Sequence, residues 1–351
     1  RLFYALRSAG SRSLGEWLDG RLRDRESPYA ALVERGGEDP ALEAAARRDI
    51  ETFTLLAELD WDQVLAEVGG KAPREYGPVL ANLPRWRGSS PFSFAELTEL
   101  YRANGAGLFA RHRAFLWEDG ALCPVEQPDC PGADEMLGYE LQRNRVIANT
   151  RAMLEGNLVN NVLLYGDSGT GKSATVKNLL TLPGFEALRL IEVQKEGLAD
   201  LPRLIRTLGG RRLKFILFID DLAFDQDDKT YSALKTILEG GLERRPANVA
   251  VYATSNRRRL VRQTFSDRAG DEVDASETIQ EKTSLSDRFG LRIPYLALNQ
   301  AEFLELVEGM AEQAGIALDR DSLRAEAVKW EMRNPGRTPR TAKQFIASLS
   351  L

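Results

Sequence analysis

The eight residues GDSGTGKS, from Gly166 to Ser173, constrain this chain more than any other stretch. They match the pattern G-x-x-x-x-G-K-[ST], follow the apolar run NNVLLY and open a helix-favouring run at Lys172. That order of strand, loop and helix separates a phosphate-binding loop from a glycine-rich turn that merely reverses the chain. Glycines at 166, 169 and 171, with Asp167, Ser168 and Thr170 between them, let backbone N–H groups curl around an anion without Cβ clashes. The helix start adds about half a positive charge from its dipole. Lys172 is expected on the β- and γ-phosphates as a point charge, and Ser173 is expected to offer its hydroxyl to magnesium.

Around this loop the chain alternates short apolar runs with helical stretches. The runs are NVLLYG (161–166), LRLIEVQ (188–194), KFILFID (214–220), NVAVYATSN (248–256) and RIPYLAL (292–298). Their length and their β-branched and aromatic content fit buried strands of a parallel sheet, and the alternation implies a doubly wound α/β core. Within FILFIDD, the buried run ends in two acids at its carboxyl edge. Asp220 is the candidate to hold magnesium through water, and Asp221 the candidate to polarise an attacking water. The plainer alternative is a strand capped by acidic turn residues.

The remaining segments are helical in style. Before residue 130, apolar residues recur at three and four, as in Ile50, Phe53, Leu56 and Leu59, and Pro and Gly clusters separate the stretches. The expected organisation is an all-helical N-terminal domain over 1–130, an α/β core over 131–299 with five parallel strands, and a small helical lid over 300–351. CPVEQPDCPGAD serves as connector.

The hydrophobic share of 43% and charged share of 28% across 351 residues describe a globular chain with a sizeable core. A net charge of -5 argues against a surface that coats nucleic acid generally, while leaving room for a local basic patch. No apolar run is long enough for a membrane span. Cys123 and Cys130, with His112 as the single histidine and no CxxC pair, make a thin ligand set for zinc; two thiols in a reducing cytoplasm is the expected state. The sequence opens on Arg1 rather than Met, which leaves a preceding targeting segment open.

From about Met136 onward the chain resembles an AAA+ P-loop ATPase module, and most closely a bacterial AAA+ family known as domain of unknown function 815. The stretches NNVLLYGDSGTGKS, ILEGGLERRPANVAVYATSNRRRLV and EKTSLSDRFGL carry the similarity. The resemblance implies ATP or ADP with magnesium as the ligand. It sets MLGYELQ, with Gly138 and Tyr139, along the adenine, and matches Lys172 and Ser173 to Walker A and Asp220 and Asp221 to Walker B. It makes Asn256 the sensor 1 side chain, Arg288 of SLSDRFG the arginine finger and Arg340 of GRTPR the sensor 2 residue. Arg268, in a second SDR triplet, is a rival for the finger. Arg288 as a surface ion pair and Arg340 as an ordinary helix-start residue remain open readings.

Two departures from the family matter. Asp221 stands where glutamate is usual, so the base is one methylene shorter; Asp221→Glu is expected to keep or raise turnover. The stretch QKEGLADLP lacks the aromatic residue with which protein-threading members grip polypeptide, which speaks against an unfoldase. Phe224, the nearby aromatic, reads better as a core ring than as a projecting one. The arginines at 257–259, 262, 211 and 212 fit nucleic acid or a subunit interface facing Asp225, Asp227 and Asp228 of a neighbour, and the acidic net charge favours the interface. The functional expectation is a homo-oligomer, in a ring, that hydrolyses ATP and remodels a protein partner recognised by the N-terminal domain. A slow nucleotide-gated switch and a nucleic-acid loader are the alternatives.

Overall fold

In this computed structural model the described residues are 2–71, 73–82, 88–89, 93–224, 229–239, 245–256, 260, 285–334 and 336–349. The chain divides into two units, Arg1–His112 and Arg113–Leu351. The first is helical, as its periodicity implies. Ser13, Ser27, Asp39 and Ser93 each accept a backbone N–H at the start of a helix, satisfying donors that the first turn cannot bond internally. Its core gathers Tyr29, Ala30, Val33, Ala57, Leu97 and Tyr101. Ile50 and Phe53 pack against that core with Ala57, whereas Leu56 is 42% exposed, because a spacing of three drifts off one face of a 3.6-residue helix, and Leu59, 38% exposed, lies beyond the helix end at Ala57.

The second unit is built on one sheet of seven strands: β1 (Ala114–Glu118), β2 (Ala121–Pro124), β3 (Val162–Gly166), β4 (Leu188–Val193), β5 (Lys214–Ile219), β6 (Val249–Ser255) and β7 (Leu291–Tyr295). Their order is β2-β1-β4-β5-β6-β3-β7, and every pairing is parallel except the β1–β2 hairpin. Residues of β5 after Lys214 and all of β6 are buried, the continuous apolar pattern of strands covered on both faces. The helices Gln300–Gln313, Arg320–Arg333 and Pro339–Leu349 form the lid around Phe303, Val307, Ala327 and Phe345. Asn299 and Glu302 close a reciprocal capping box at its entrance. Among the described residues no helix is long and apolar enough to cross a membrane.

The five expected strands are present, in a mostly parallel α/β core, and two more extend it. Residues 114–124, expected to be helix and connector, are strands instead. Asp119 and Gly120 both have positive φ, 49° and 74°, as the two-residue turn joining Glu118 to Ala121 requires. The following β1–β4 pairing buries Phe115 and Trp117. The Asp-Gly pair between apolar residues was the local signal for this hairpin. Its strands hold no Val, Ile or Thr, so the β-branched content that marks the central strands is missing here. Cys123 and Cys130 are unpaired thiols, and burial pushes that of Cys130 above its ordinary pKa.

The hairpin covers the edge of β4, so the unit is expected to depend on it. A fragment of residues 113–351 should melt cooperatively and stay monodisperse. A fragment of residues 131–351, lacking β1 and β2, should aggregate through the bared edge. Thermal melts with size-exclusion chromatography compare the two, and equal behaviour would make the hairpin dispensable.

Candidate nucleotide site

Three neighbouring parallel strands deliver the site at their carboxyl ends. β3 leads into the P-loop, β5 into Asp220 and Asp221, and β6 into Asn256, so the order β5-β6-β3 brings together residues far apart in sequence. They line a cleft of about 630 Å³, with Gly138 and Tyr139 on one side and Arg340 on another.

The P-loop lies tightly against its neighbours. A Cβ at Gly166, where φ is 138°, would stand 2.1 Å from the carbonyl oxygen of Tyr295. At Gly169, where φ is 77°, it would meet Arg340 Cβ at 2.9 Å. Only glycine allows this curl with this packing. Asp167 is held from both ends, its N–H donating to the Tyr295 carbonyl at 2.9 Å and its carboxylate accepting the Ala297 N–H at 2.6 Å.

Lys172 is 6% exposed. Its ammonium donates to the carbonyls of Gly166 (3.1 Å) and Asp167 (2.7 Å) and to Asn256 Oδ1 (2.9 Å). Burial pushes its pKa below the usual lysine value, against the opposing pull of Asp167, Asp221 and Asp220. Asn256 also donates through Nδ2 to Asp221 Oδ1 at 2.8 Å, so its amide bridges the cation and the acid. Ser173 Oγ donates to Asp220 Oδ1 at 2.6 Å. A hydroxyl that gives its proton to an acid keeps lone pairs for a metal.

Asp221 has a φ of 50°, in the left-handed region. Asp and Asn tolerate that region better than longer side chains. The backbone here favours the shorter acid, so glutamate's extra reach at this position would come with strain.

Gly138 and Tyr139 also have positive φ, 75° and 57°, and turn the chain into the helix Glu140–Leu154. The Tyr139 ring stacks on Tyr295 with centroids 5.1 Å apart and donates from its hydroxyl to the Leu296 carbonyl at 2.6 Å. Burial raises the pKa of both phenols, that of Tyr295 to about 12. From the lid, Arg340 Nη1 donates to Ser168 Oγ at 3.3 Å, and its backbone N–H donates to the Gly169 carbonyl at 3.2 Å.

These residues fit a triphosphate with magnesium. Among the described residues no group of three or more His, Cys, Asp or Glu could enclose a metal. A magnesium ion here would be shared among the Ser173 hydroxyl, water held by Asp220 and phosphate oxygens, its usual arrangement.

Arg288 is half-buried and does not line the cleft. Arg268, Arg257, Arg258, Arg259, Arg262, Asp225, Asp227 and Asp228 lie outside the described residues. Phe224 is fully buried, with the Lys195 ammonium 5.4 Å from its ring centre, so it is a core ring. Arg143, Thr254, Tyr295 and Lys343 line the cleft and were not singled out from the sequence. Lys343 follows Arg340 by three on one helix face, so spacing alone could have found it, whereas Thr254 is one of seven buried residues of β6 and only its neighbours in the fold set it apart. Tyr295 lies at the end of β7, and only the sheet order brings it beside the P-loop.

Among solved structures, the chain is similar to the Thermotoga maritima RuvB Holliday junction branch migration motor, at 17% identity and a TM-score of 0.40, covering 63% of each chain. It is also similar to the Aeropyrum pernix Orc1 protein in complex with DNA, at 18% identity and a TM-score of 0.42, covering 62% of this chain and 60% of that one. The chain thus spans less than two thirds of either protein, and likeness at this level carries no argument about activity or partners. No curated protein matches the sequence. One family model, described as protein of unknown function (DUF815), matches residues 110–350, which include the entire sheet, the P-loop and the lid helices. The chain belongs to the DUF815 family.

Proposed function

We propose that this protein binds ATP with magnesium in the cleft and hydrolyses it, as an AAA+ protein that assembles with copies of itself and remodels a macromolecular partner. The observation that carries the reading is the convergence of two hydrogen-bonded sets in one P-loop cleft. One is Lys172–Asn256–Asp221 and the other Ser173–Asp220.

In this reading, magnesium, when bound, neutralises charge on the phosphate oxygens as the bond to the γ-phosphoryl group loosens. Lys172 holds the β- and γ-phosphate oxygens. Asp221 accepts a proton from the attacking water, which Asn256 helps to orient. Asp220, hydrogen-bonded to Ser173, would with it hold the magnesium ion, Asp220 through water. Arg340 couples the lid to the P-loop through Ser168 and Gly169. Arg288, outside its own cleft, acts on nucleotide bound by a neighbouring copy. The helical unit 1–112 recognises the partner.

A second reading, a slow nucleotide-gated switch, draws support from Asp221, a short base tied to Asn256. Turnover measured with and without cell lysate separates the two, since stimulation favours a machine and a flat slow rate favours a switch.

Four variants test the site. Lys172→Ala should weaken ATP binding at least about tenfold, because it removes charge-assisted bonds to the phosphates; isothermal titration near the parent's affinity would overturn the P-loop role.

Asp221→Asn suits the left-handed backbone, so it should bind ATP as the parent does and fail to hydrolyse it. Asp221→Glu should melt earlier, by about 1 kcal/mol of stability. Normal hydrolysis by Asp221→Asn would move the base elsewhere.

Arg288→Ala should bind ATP and lose about a thousandfold in turnover, as finger residues do. Mixing it with Lys172→Ala should restore part of the activity. No rescue, with turnover independent of protein concentration, would confine Arg288 to its own chain.

A further inference from the structure

Thr254 lies in β6, two residues before Asn256, and is 1% exposed. Its hydroxyl accepts the Asp221 N–H at 2.9 Å and donates to Asp220 Oδ1. An amide N–H only donates and a hydroxyl carries one proton, so the direction of both bonds is fixed. The Thr254 carbonyl also accepts the Leu222 N–H at 2.7 Å, which holds the next peptide of the same turn.

Asp220 Oδ1 is therefore approached by three donors: the Thr254 hydroxyl, the Ser173 hydroxyl at 2.6 Å and the Asp221 N–H at 3.2 Å. With Oδ1 so occupied, Oδ2 is the oxygen suited to a metal-bound water. Asp221, meanwhile, has a left-handed φ of 50° and accepts the Asn256 amide at Oδ1. A non-glycine residue keeps such a backbone only where its surroundings hold it.

We propose that Thr254 is a positioning residue for both acids: one buried hydroxyl orients Asp220 towards magnesium and holds the left-handed turn that presents Asp221 to the attacking water. The inference rests on the ATP–magnesium reading of the cleft. An ordinary core threonine in this place would affect stability alone. A positioning threonine also governs how the site responds to magnesium.

The two are told apart in the full chain with Thr254→Val, which keeps the shape and removes the hydroxyl, and Thr254→Ser, which restores it. A fluorescent ATP analogue is titrated with and without magnesium. Binding without magnesium should match the parent in both variants. The tightening that magnesium brings should fall about tenfold or more in Thr254→Val, the usual effect of losing a group that orients a metal's partner, and return in Thr254→Ser. Hydrogen exchange at the Asp221 amide should quicken in Thr254→Val and recover in Thr254→Ser. Thr254→Val with the parent's magnesium response and the parent's exchange rate overturns the proposal, whatever its melting temperature. A parent that binds the analogue without any response to magnesium defeats the cleft reading instead. In that case unchanged amide exchange between parent and Thr254→Val would remove the positioning role as well.

Discussion

A lysine ammonium buried at the head of the P-loop cannot stand alone in a poorly solvated place. Lys172 is compensated by two main-chain carbonyls that only a curled glycine loop can aim inward, and by one amide oxygen from another strand. That requirement ties β3 to β6, because Asn256 must end β6 beside the loop. Asn256 in turn reaches Asp221 at the end of β5, so one buried cation sets the mutual placement of three strand ends. The acids that surround it offset part of the desolvation that lowers its pKa. Sheet order and site chemistry are thus two aspects of the same electrostatic constraint.

The legible parts of the sequence were those whose function is local. The P-loop announces itself because its glycines, lysine and serine are contiguous. The acids of β5 are legible because a buried strand ending in two carboxylates is rare without a reason. The lid helices and the five central strands follow from period and length. What escaped was non-local or short. Tyr295 contributes to the site from β7, and nothing near it in sequence points to Tyr139, on which it stacks. Thr254 looked like one more β-branched residue in a buried strand until its hydroxyl met both acids. The β1–β2 hairpin escaped because AFLWEDGALCP holds no Val, Ile or Thr, the β-branched content that marks the central strands, and follows directly on helical text.

The choice of aspartate at 221 shows how backbone and side chain restrain each other. A comparison of side-chain lengths alone favours glutamate for reach. The left-handed backbone at that position reverses the argument, since the short acid suits the turn and already meets Asn256.

The bond between the Arg340 N–H and the Gly169 carbonyl, with the neighbouring one between the Leu298 N–H and the Arg337 carbonyl, has one further consequence. Both run from main chain to main chain, so among substitutions only proline at 340 or 298, which lacks the N–H, deletes a donor. The lid and the phosphate loop therefore share a single mechanical coordinate: tilting one strains the other, whichever residues decorate the surface. Drift among the lid's other side chains leaves its main-chain tie to the loop in place.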